Sequence, residues 1–237
     1  MAVMLKKKKI IAIIPARGGS KGVKNKNLRL IAGKPLVAHS VEHALGCSRI
    51  DRVFVSTDDL KIGEIAQQYG AEFIKRPAAI SDDTSSSESA LQHALDHLSK
   101  TEAYEPDVVI FLQCTSPFRT SKDIELAIDK FFSEDADSLL SVYRTHSLLW
   151  KIENGKACSV NFDYRCRPRR QDMNPQFAEN GSIYIFKPWV IKETGNRLGG
   201  KISLYVMREE AAWQIDSEHD FRIIEFLLLN TKHESRQ

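Results

Sequence analysis

Short apolar, β-branched runs alternate along this chain with stretches whose apolar positions recur every three or four residues. The first pattern predicts buried strands, and the second predicts helices with one apolar face. Residues 10–14, all isoleucine or alanine, read as a buried strand, and Pro35 sits just inside a helix on which Val37, Val41, Ala44 and Leu45 share a face. A strand at 52–56, a helix at 60–69 and a short strand at 72–75 follow. Beyond the serine-rich loop 81–87, Leu91, Ala94, Leu95 and Leu98 mark a helix that starts at Glu88, with Ser87 placed to cap it. It leads to a buried strand at 108–112, a helix at 122–132 and a strand at 137–142. Strands that alternate with helices predict an α/β fold, a parallel or mainly parallel sheet covered by helices.

The alternation stops at Thr145. From there to Asn180 the chain is polar, aromatic and interrupted by proline, with the basic run Arg165-Cys166-Arg167-Pro168-Arg169-Arg170. This stretch reads as an excursion from the core. Strands return at 182–186 and 202–206, and a last helix covers 219–230, with Ser217 as its cap and Asp220 three residues on. A length of 237 residues suits one large domain with an elaboration, so residues 1–237 are expected to form a single domain that carries the 145–180 excursion.

Composition changes this picture little. Charged residues at 27% and hydrophobic ones at 42% are ordinary for a globular protein. A net charge of +3 lends no support to a nucleic-acid binder that rests on a strongly basic surface. The run Lys6-Lys7-Lys8-Lys9 reads as a solvated arm. The apolar run behind it is too short for a signal-peptide core or a membrane span, so neither export nor a membrane partner is expected. Cys47, Cys114, Cys158 and Cys166 have no C-x-x-C or Cys/His ligand spacing, which points to a reducing cytoplasm and away from thiolate-bound metal.

The loop after the first strand, Pro15-Ala16-Arg17-Gly18-Gly19-Ser20-Lys21-Gly22-Val23-Lys24-Asn25-Lys26-Asn27, carries the strongest chemical signal. It matches neither G-x-x-x-x-G-K-[ST] nor G-x-G-x-x-G. Gly18, Gly19 and Gly22 are expected to take positive φ and bring backbone N–H groups close to phosphate oxygens. Arg17, Lys21 and Lys26 add positive charge. In open α/β sheets ligands bind beyond the carboxyl ends of the strands, where this loop begins. On the residues alone, a triphosphate cradle and a glycine turn on a solvated basic face are equally open.

A longer succession of motifs separates the two. With the loop go Val55-Ser56-Thr57-Asp58-Asp59, Arg76-Pro77, Asp83-Thr84-Ser85-Ser86-Ser87-Glu88-Ser89, Leu112-Gln113 with Thr115-Ser116-Pro117, Pro168-Arg169, Glu179-Asn180-Gly181-Ser182-Ile183-Tyr184 and Ile215-Asp216. In this order, over roughly residues 10–228, they resemble the N-acylneuraminate cytidylyltransferase (CMP-sialic acid synthetase) family. The resemblance implies a three-layer α/β/α, Rossmann-like fold of the nucleotide-diphospho-sugar transferase type, with the 145–180 excursion as a dimerisation arm. It implies an enzyme that transfers CMP from CTP to the anomeric hydroxyl of a nonulosonic acid, a nine-carbon α-keto sugar acid, and releases pyrophosphate. Mg2+ or Mn2+ would be the cofactor, and a homodimer the working unit.

Residue by residue, the resemblance assigns Arg17, Ser20, Lys21, Lys26 and Asn27 to the triphosphate, with Lys21 stabilising charge on the departing pyrophosphate. Arg76, Ser87 and Ser89 would read the cytosine and ribose; Gln113, Thr115 and Tyr184 would meet the sugar acid, joined by Arg169 from the partner subunit. Asp216 would bind the metal and, with Lys21, make up the catalytic pair. The family often carries a D-x-D pair there; this chain reads Gln214-Ile215-Asp216, so Gln214 would serve a metal only through its carbonyl or a water. Cys114 replaces a usual proline and is read as packing. Ala178 stands where some sialate enzymes have an arm arginine, which leaves the sugar open among N-acetylneuraminate, legionaminate, pseudaminate and the eight-carbon Kdo. His39, His43, His93 and His97 lie on predicted helices and are read as packing or surface residues. A non-catalytic module that holds nucleic acid through 165–170 and 6–9 is the distant alternative, disfavoured because no stacking aromatics interleave those runs.

Overall fold

Along β1 (Ile10–Pro15) successive side chains point to opposite faces of a sheet, and both faces are covered. Ile10, Ala12 and Ile14 belong to one buried cluster, Ile11 and Ile13 to another. The computed structural model describes residues 7–20 and 22–234, with side chains as far as 230. After β1 come β2 (Leu30–Ile31), β3 (Lys34–Pro35), α1 (Leu36–Leu45), β4 (Arg52–Thr57), α2 (Leu60–Gln68), β5 (Glu72–Lys75), α3 (Ser87–Glu102), β6 (Val108–Leu112), α4 (Ser121–Ser133) and β7 (Ser138–Thr145). The rest is β8 (Trp150–Glu153), β9 (Lys156–Ser159), β10 (Gln176–Phe186), α5 (Pro188–Thr194), β11 (Ile202–Met207) and α6 (Glu218–Glu234).

Among the described residues, seven strands form one sheet in the order β11-β7-β10-β6-β1-β4-β5. Parallel pairing joins β6, β1, β4 and β5, and also β7 and β11, while β10 runs antiparallel to both its neighbours, β6 and β7. Helices α1, α2, α4 and α6 cover one face through Val37, Val41, Ile62, Ile124, Ile128 and Ile224. On the other face, α3 and α5 lay down Leu91, Leu95, Leu98, Val190 and Ile191 against Phe54, Phe111 and Phe186. Each fully buried side chain of this size contributes about 1.5–3 kcal/mol. This is the mainly parallel, three-layer α/β/α architecture that the sequence predicts.

Several local expectations need correction. Pro35 lies outside α1: it is extended, with φ −55 and ψ 140, and pairs with Leu30 in the short β2–β3 hairpin. Leu45 faces solvent, because α1 buries Leu36, Ala38, His39 and Ser40 as well as Val37, Val41 and Ala44. The cap of α3 is Ser86, whose side chain accepts from the Ser89 N–H, so Ser87 is the first helical residue. At α6 the predicted cap holds: Ser217 Oγ accepts from the Asp220 N–H at 3.2 Å and Asp220 Oδ2 from the Ser217 N–H at 2.8 Å. The 145–180 stretch contains regular structure, namely the β8–β9 hairpin and the start of β10. The N-terminal lysine run lies partly outside the described residues; Lys7 pairs with Asp51 at 2.6 Å. Among the described residues, no helix is long and apolar enough to cross a membrane.

Candidate active site

From β1 the chain moves through α1 to β4 and β5 on one side, then crosses through α3 to β6 on the other. The crevice beyond the carboxyl ends of β1 and β6 is therefore the topological switch point, where an open α/β sheet binds its ligands. A pocket of about 440 Å3 opens there. The loop after β1 contributes Arg17, Ser20, Lys26 and Asn27 to its wall, and the segment after β5 contributes Arg76. Ser87 comes from the start of α3, Gln113 and Thr115 from the end of β6, and Gln214 and Asp216 from the segment before α6. Most of the residues singled out in the sequence thus meet in one cavity.

Others do not reach it. Ser89 donates its hydroxyl to the Ser86 carbonyl at 2.8 Å, one turn into α3. Tyr184 is buried behind the wall: its ring stacks on the pocket residue Phe111 at 5.2 Å, and its hydroxyl donates to Glu179. Arg169 is exposed on the excursion, 3.6 Å from Asp172. Lys21 lies outside the described residues. Asp83 lines the pocket although sequence reasoning gave it no role; the signal was a carboxylate inside a matched motif, opposite a cationic loop.

Local electrostatics follow from how these groups are held. Arg17 pairs with Asp83 at 2.8 Å and donates to the Asp82 carbonyl at 2.9 Å. Lys26 donates to the Ile215 carbonyl at 2.6 Å and stands 3.7 Å from Asp216 Oδ1. Burial lowers the Lys26 pKa, a shift that the Asp216 carboxylate partly opposes. Arg76, 6% exposed, donates to the Ser56 carbonyl at 2.5 Å and the Ser56 hydroxyl at 3.3 Å. Burial lowers its pKa too, against the pull of Asp58. Asn27 donates to the Arg17 carbonyl at 2.9 Å and so braces the loop across its own span.

Glycine serves this loop differently from expectation. Gly18 and Gly19 do not take positive φ, and the described left-handed residue of the loop is Asn25, with φ 54. Space is what the positions require: a Cβ on Gly22 would lie 2.0 Å from the Asp216 carbonyl oxygen, and one on Gly18 would lie 2.9 Å from Asp59 Oδ2. The loop and the segment before α6 therefore touch backbone to backbone.

Behind the pocket sits Arg119, 1% exposed, which donates to the Ser182 carbonyl at 2.7 Å, the Ser40 hydroxyl at 2.7 Å and the Gln113 carbonyl at 3.3 Å. It clamps β10, α1 and the end of β6 together. Cys114 is buried at the edge of the pocket, and burial pushes its thiol up to about 11, which suits the packing role expected of it. His39, His43, His93 and His97 do not line this pocket. Among the described residues, no three or more His, Cys, Asp or Glu side chains cluster to hold a metal. A Mg2+ ion bound largely by phosphate oxygens and water needs only one or two carboxylates, and Asp216, with a side chain 74% exposed in the pocket wall, fits that requirement.

The N-acylneuraminate cytidylyltransferase A of Danio rerio is 37% identical over 224 residues, which cover 93% of this chain and 51% of that protein. The post-translational flagellin modification protein B of Campylobacter coli is 34% identical over 227 residues, covering 92% of this chain and 94% of its own length. The chain thus spans about half the length of the first relative and nearly all of the second. A solved CMP:2-keto-3-deoxy-manno-octonic acid synthetase, complexed with CTP, superposes with a TM-score of 0.69 over 94% of this chain and 100% of its own, at 19% identity, and shares the fold. The family described as Cytidylyltransferase matches residues 11–228, nearly the whole chain, and it is to that family that the protein belongs.

Proposed function

We propose that this protein transfers CMP from CTP to the anomeric hydroxyl of a nonulosonic acid and releases pyrophosphate. The observation that carries the reading is the convergence of the cationic loop after β1, Arg76, and the Gln113–Thr115 strand end on one cavity at the switch point. Its volume of about 440 Å3 lies within the range of roughly 300–1,000 Å3 usual for small-molecule sites.

Nucleotidyl transfer asks a protein mainly for positioning and charge neutralisation. Arg17 and Lys26, with Lys21, hold the triphosphate, and Ser20 and Asn27 shape the loop around it. Arg76 and Ser87 face the nucleoside. Asp216 holds Mg2+ or Mn2+, which neutralises phosphate charge when bound. Gln113 and Thr115 meet the sugar acid. The excursion exposes Trp150, Ile152 and Tyr164, an apolar surface that suits a dimer arm through which Arg169 reaches the partner's pocket. The name of the first relative, an N-acylneuraminate cytidylyltransferase, supports the substrate class.

The test is pyrophosphate release from CTP and Mg2+ with N-acetylneuraminate, legionaminate, pseudaminate and Kdo in turn. Turnover with at least one of the nine-carbon acids is expected; turnover with none overturns the reading, and turnover with Kdo alone moves it to the eight-carbon acid. Lys21→Ala and Asp216→Ala should lose most activity with an unchanged circular dichroism spectrum, and a normal rate in either removes that residue from the site.

A further inference from the structure

Gly181 sits in the bulge of β10, between Glu179 and Tyr184, with φ +61. A Cβ there would lie 2.7 Å from Gln113 Oε1, 3.0 Å from Gln214 Oε1 and 3.2 Å from Gln214 Nε2. Two carboxamides, one from the end of β6 and one from the segment before α6, therefore close over a single glycine, and both line the pocket.

The arrangement is fixed from below. Asn180, fully buried, accepts from the Ser141 hydroxyl at 2.6 Å and donates to the Ala211 carbonyl at 3.1 Å, tying the bulge to the segment that carries Gln214. The Ile215 N–H donates to the Thr115 carbonyl at 3.0 Å, which joins the chain neighbour of Gln214 to the segment that carries Gln113. Arg119 holds Ser182 and the Gln113 carbonyl from behind. The side chains themselves are uncommitted: among the described residues, Gln214 makes no side-chain hydrogen bond, and Gln113 has one long contact, from Thr115 Oγ1 at 3.5 Å.

Chemistry separates the two uses such a pair could have. A hard divalent cation seeks charged or strongly polar oxygens, and a carboxamide beside Asp216 adds no charge. Paired carboxamides instead offer two carbonyl acceptors and four N–H donors, a set that matches hydroxyl, acylamino and carboxylate groups presented together. Buried polar groups left unpaired by a wrong ligand are also what makes such a site selective.

We propose that Gln113 and Gln214 form one paired-carboxamide subsite on the Gly181 floor, in which Gln214 binds the sugar acid and not the metal. Gln214 is then a specificity-determining residue, and Asp216 alone of the two serves the cation. The inference rests on the cytidylyl-transfer reading above.

Steady-state pyrophosphate release by the full chain, with the sugar acid, CTP and Mg2+ varied in turn, tests it. Gln214→Ala should raise the KM for the sugar acid about tenfold, equivalent to about 1.4 kcal/mol, while the KM for CTP and the Mg2+ half-saturation stay within about twofold, a change below 0.5 kcal/mol. Gln113→Ala should act alike, and the double variant should lose less than the product of the two, since both residues hold one ligand. Gln214→Glu keeps the shape, changes the donors, and should raise the same KM even where alanine loosens the fold. A Gln214 variant that shifts the Mg2+ half-saturation and spares the sugar-acid KM, or that moves neither, overturns the inference while wild-type turnover keeps the cytidylyl-transfer reading. A wild type without turnover overturns both.

Discussion

Replacing Arg119 by methionine asks how much the clamp behind the pocket contributes. The guanidinium makes two short bonds, to the Ser182 carbonyl and the Ser40 hydroxyl, both at 2.7 Å. Bonds from a charged donor are worth about 1.5–3 kcal/mol each. Against them stand the desolvation of the charge, which pulls the Arg119 pKa down to about 10, and its Nε, buried without a partner. A buried orphan donor costs about 1–3 kcal/mol, and methionine removes that cost along with the bonds. Methionine takes this donor from the Ser182 carbonyl and leaves the Gln113 carbonyl only the long contacts from the Ser40 hydroxyl and the Ser116 N–H, both at 3.5 Å, so the net expectation is a loss of about 2–4 kcal/mol. At this chain length each kcal/mol moves the thermal midpoint by roughly 2–4 °C, so Tm should fall by roughly 10 °C. Well below the new midpoint, kcat/KM for the sugar acid should still drop about tenfold or more, because the end of β6 has lost its support. Thermal and urea denaturation with pyrophosphate release measure both effects. A destabilisation under about 1 kcal/mol, or a gain, would show that Arg119 is a tolerated charge and not a clamp.

Gly22→Ala puts a Cβ 2.0 Å from the Asp216 carbonyl oxygen. Relief requires a loop shift of about 1 Å, and kcat/KM should fall about a hundredfold; full activity would refute the contact. Burial first, and then Arg119, His39, Lys34 and Arg208, hold the His43 pKa well below the usual imidazole value, and His93 is lowered in the same direction. The unfolded chain takes up these protons near pH 6.5 and the folded chain only further down, so stability should fall as pH drops below about 6.5. His43→Gln should flatten that slope between about pH 6.5 and 5, and urea midpoints that keep it would exclude His43 as the cause. If the excursion pairs two copies, Ile152→Asp, at a position 74% exposed, should convert a dimer to a monomer in sedimentation velocity without changing the circular dichroism spectrum; an unaltered sedimentation coefficient would place the contact elsewhere.

The sheet was legible because its strands are buried on both faces and therefore read as unbroken apolar runs, as at 10–14 and 108–112. Two further turn signals stand in the sequence: Asn154-Gly155, both at positive φ, closes the β8–β9 hairpin, and Pro188 with Gly195 brackets α5. Thr120 and Asp123 likewise form a capping box at α4 that spacing alone would have revealed. The start of β10 at Gln176 was hidden for a different reason. Its register shifts at the bulge between Glu179 and Tyr184, so alternation is lost where the strand crosses from the excursion to the core. In the site, Gln113 and Thr115 at a strand end and the cationic loop after the first strand are legible as residue types, and the structure gathers them around one cavity. The clamp by Arg119 and the meeting of Gln113 with Gln214 depend on long-range packing that no local pattern encodes.

Arg17 and Lys26 each already have a carboxylate neighbour within the pocket wall, Asp83 for one and Asp216 for the other. Two of the three described cations of the pocket wall are therefore paired, while Arg76 is held by the Ser56 carbonyl and hydroxyl instead. An anion that binds Arg17 or Lys26 competes with the carboxylate already beside it. An anion that brings its own cation would leave each displaced carboxylate with a counter-charge.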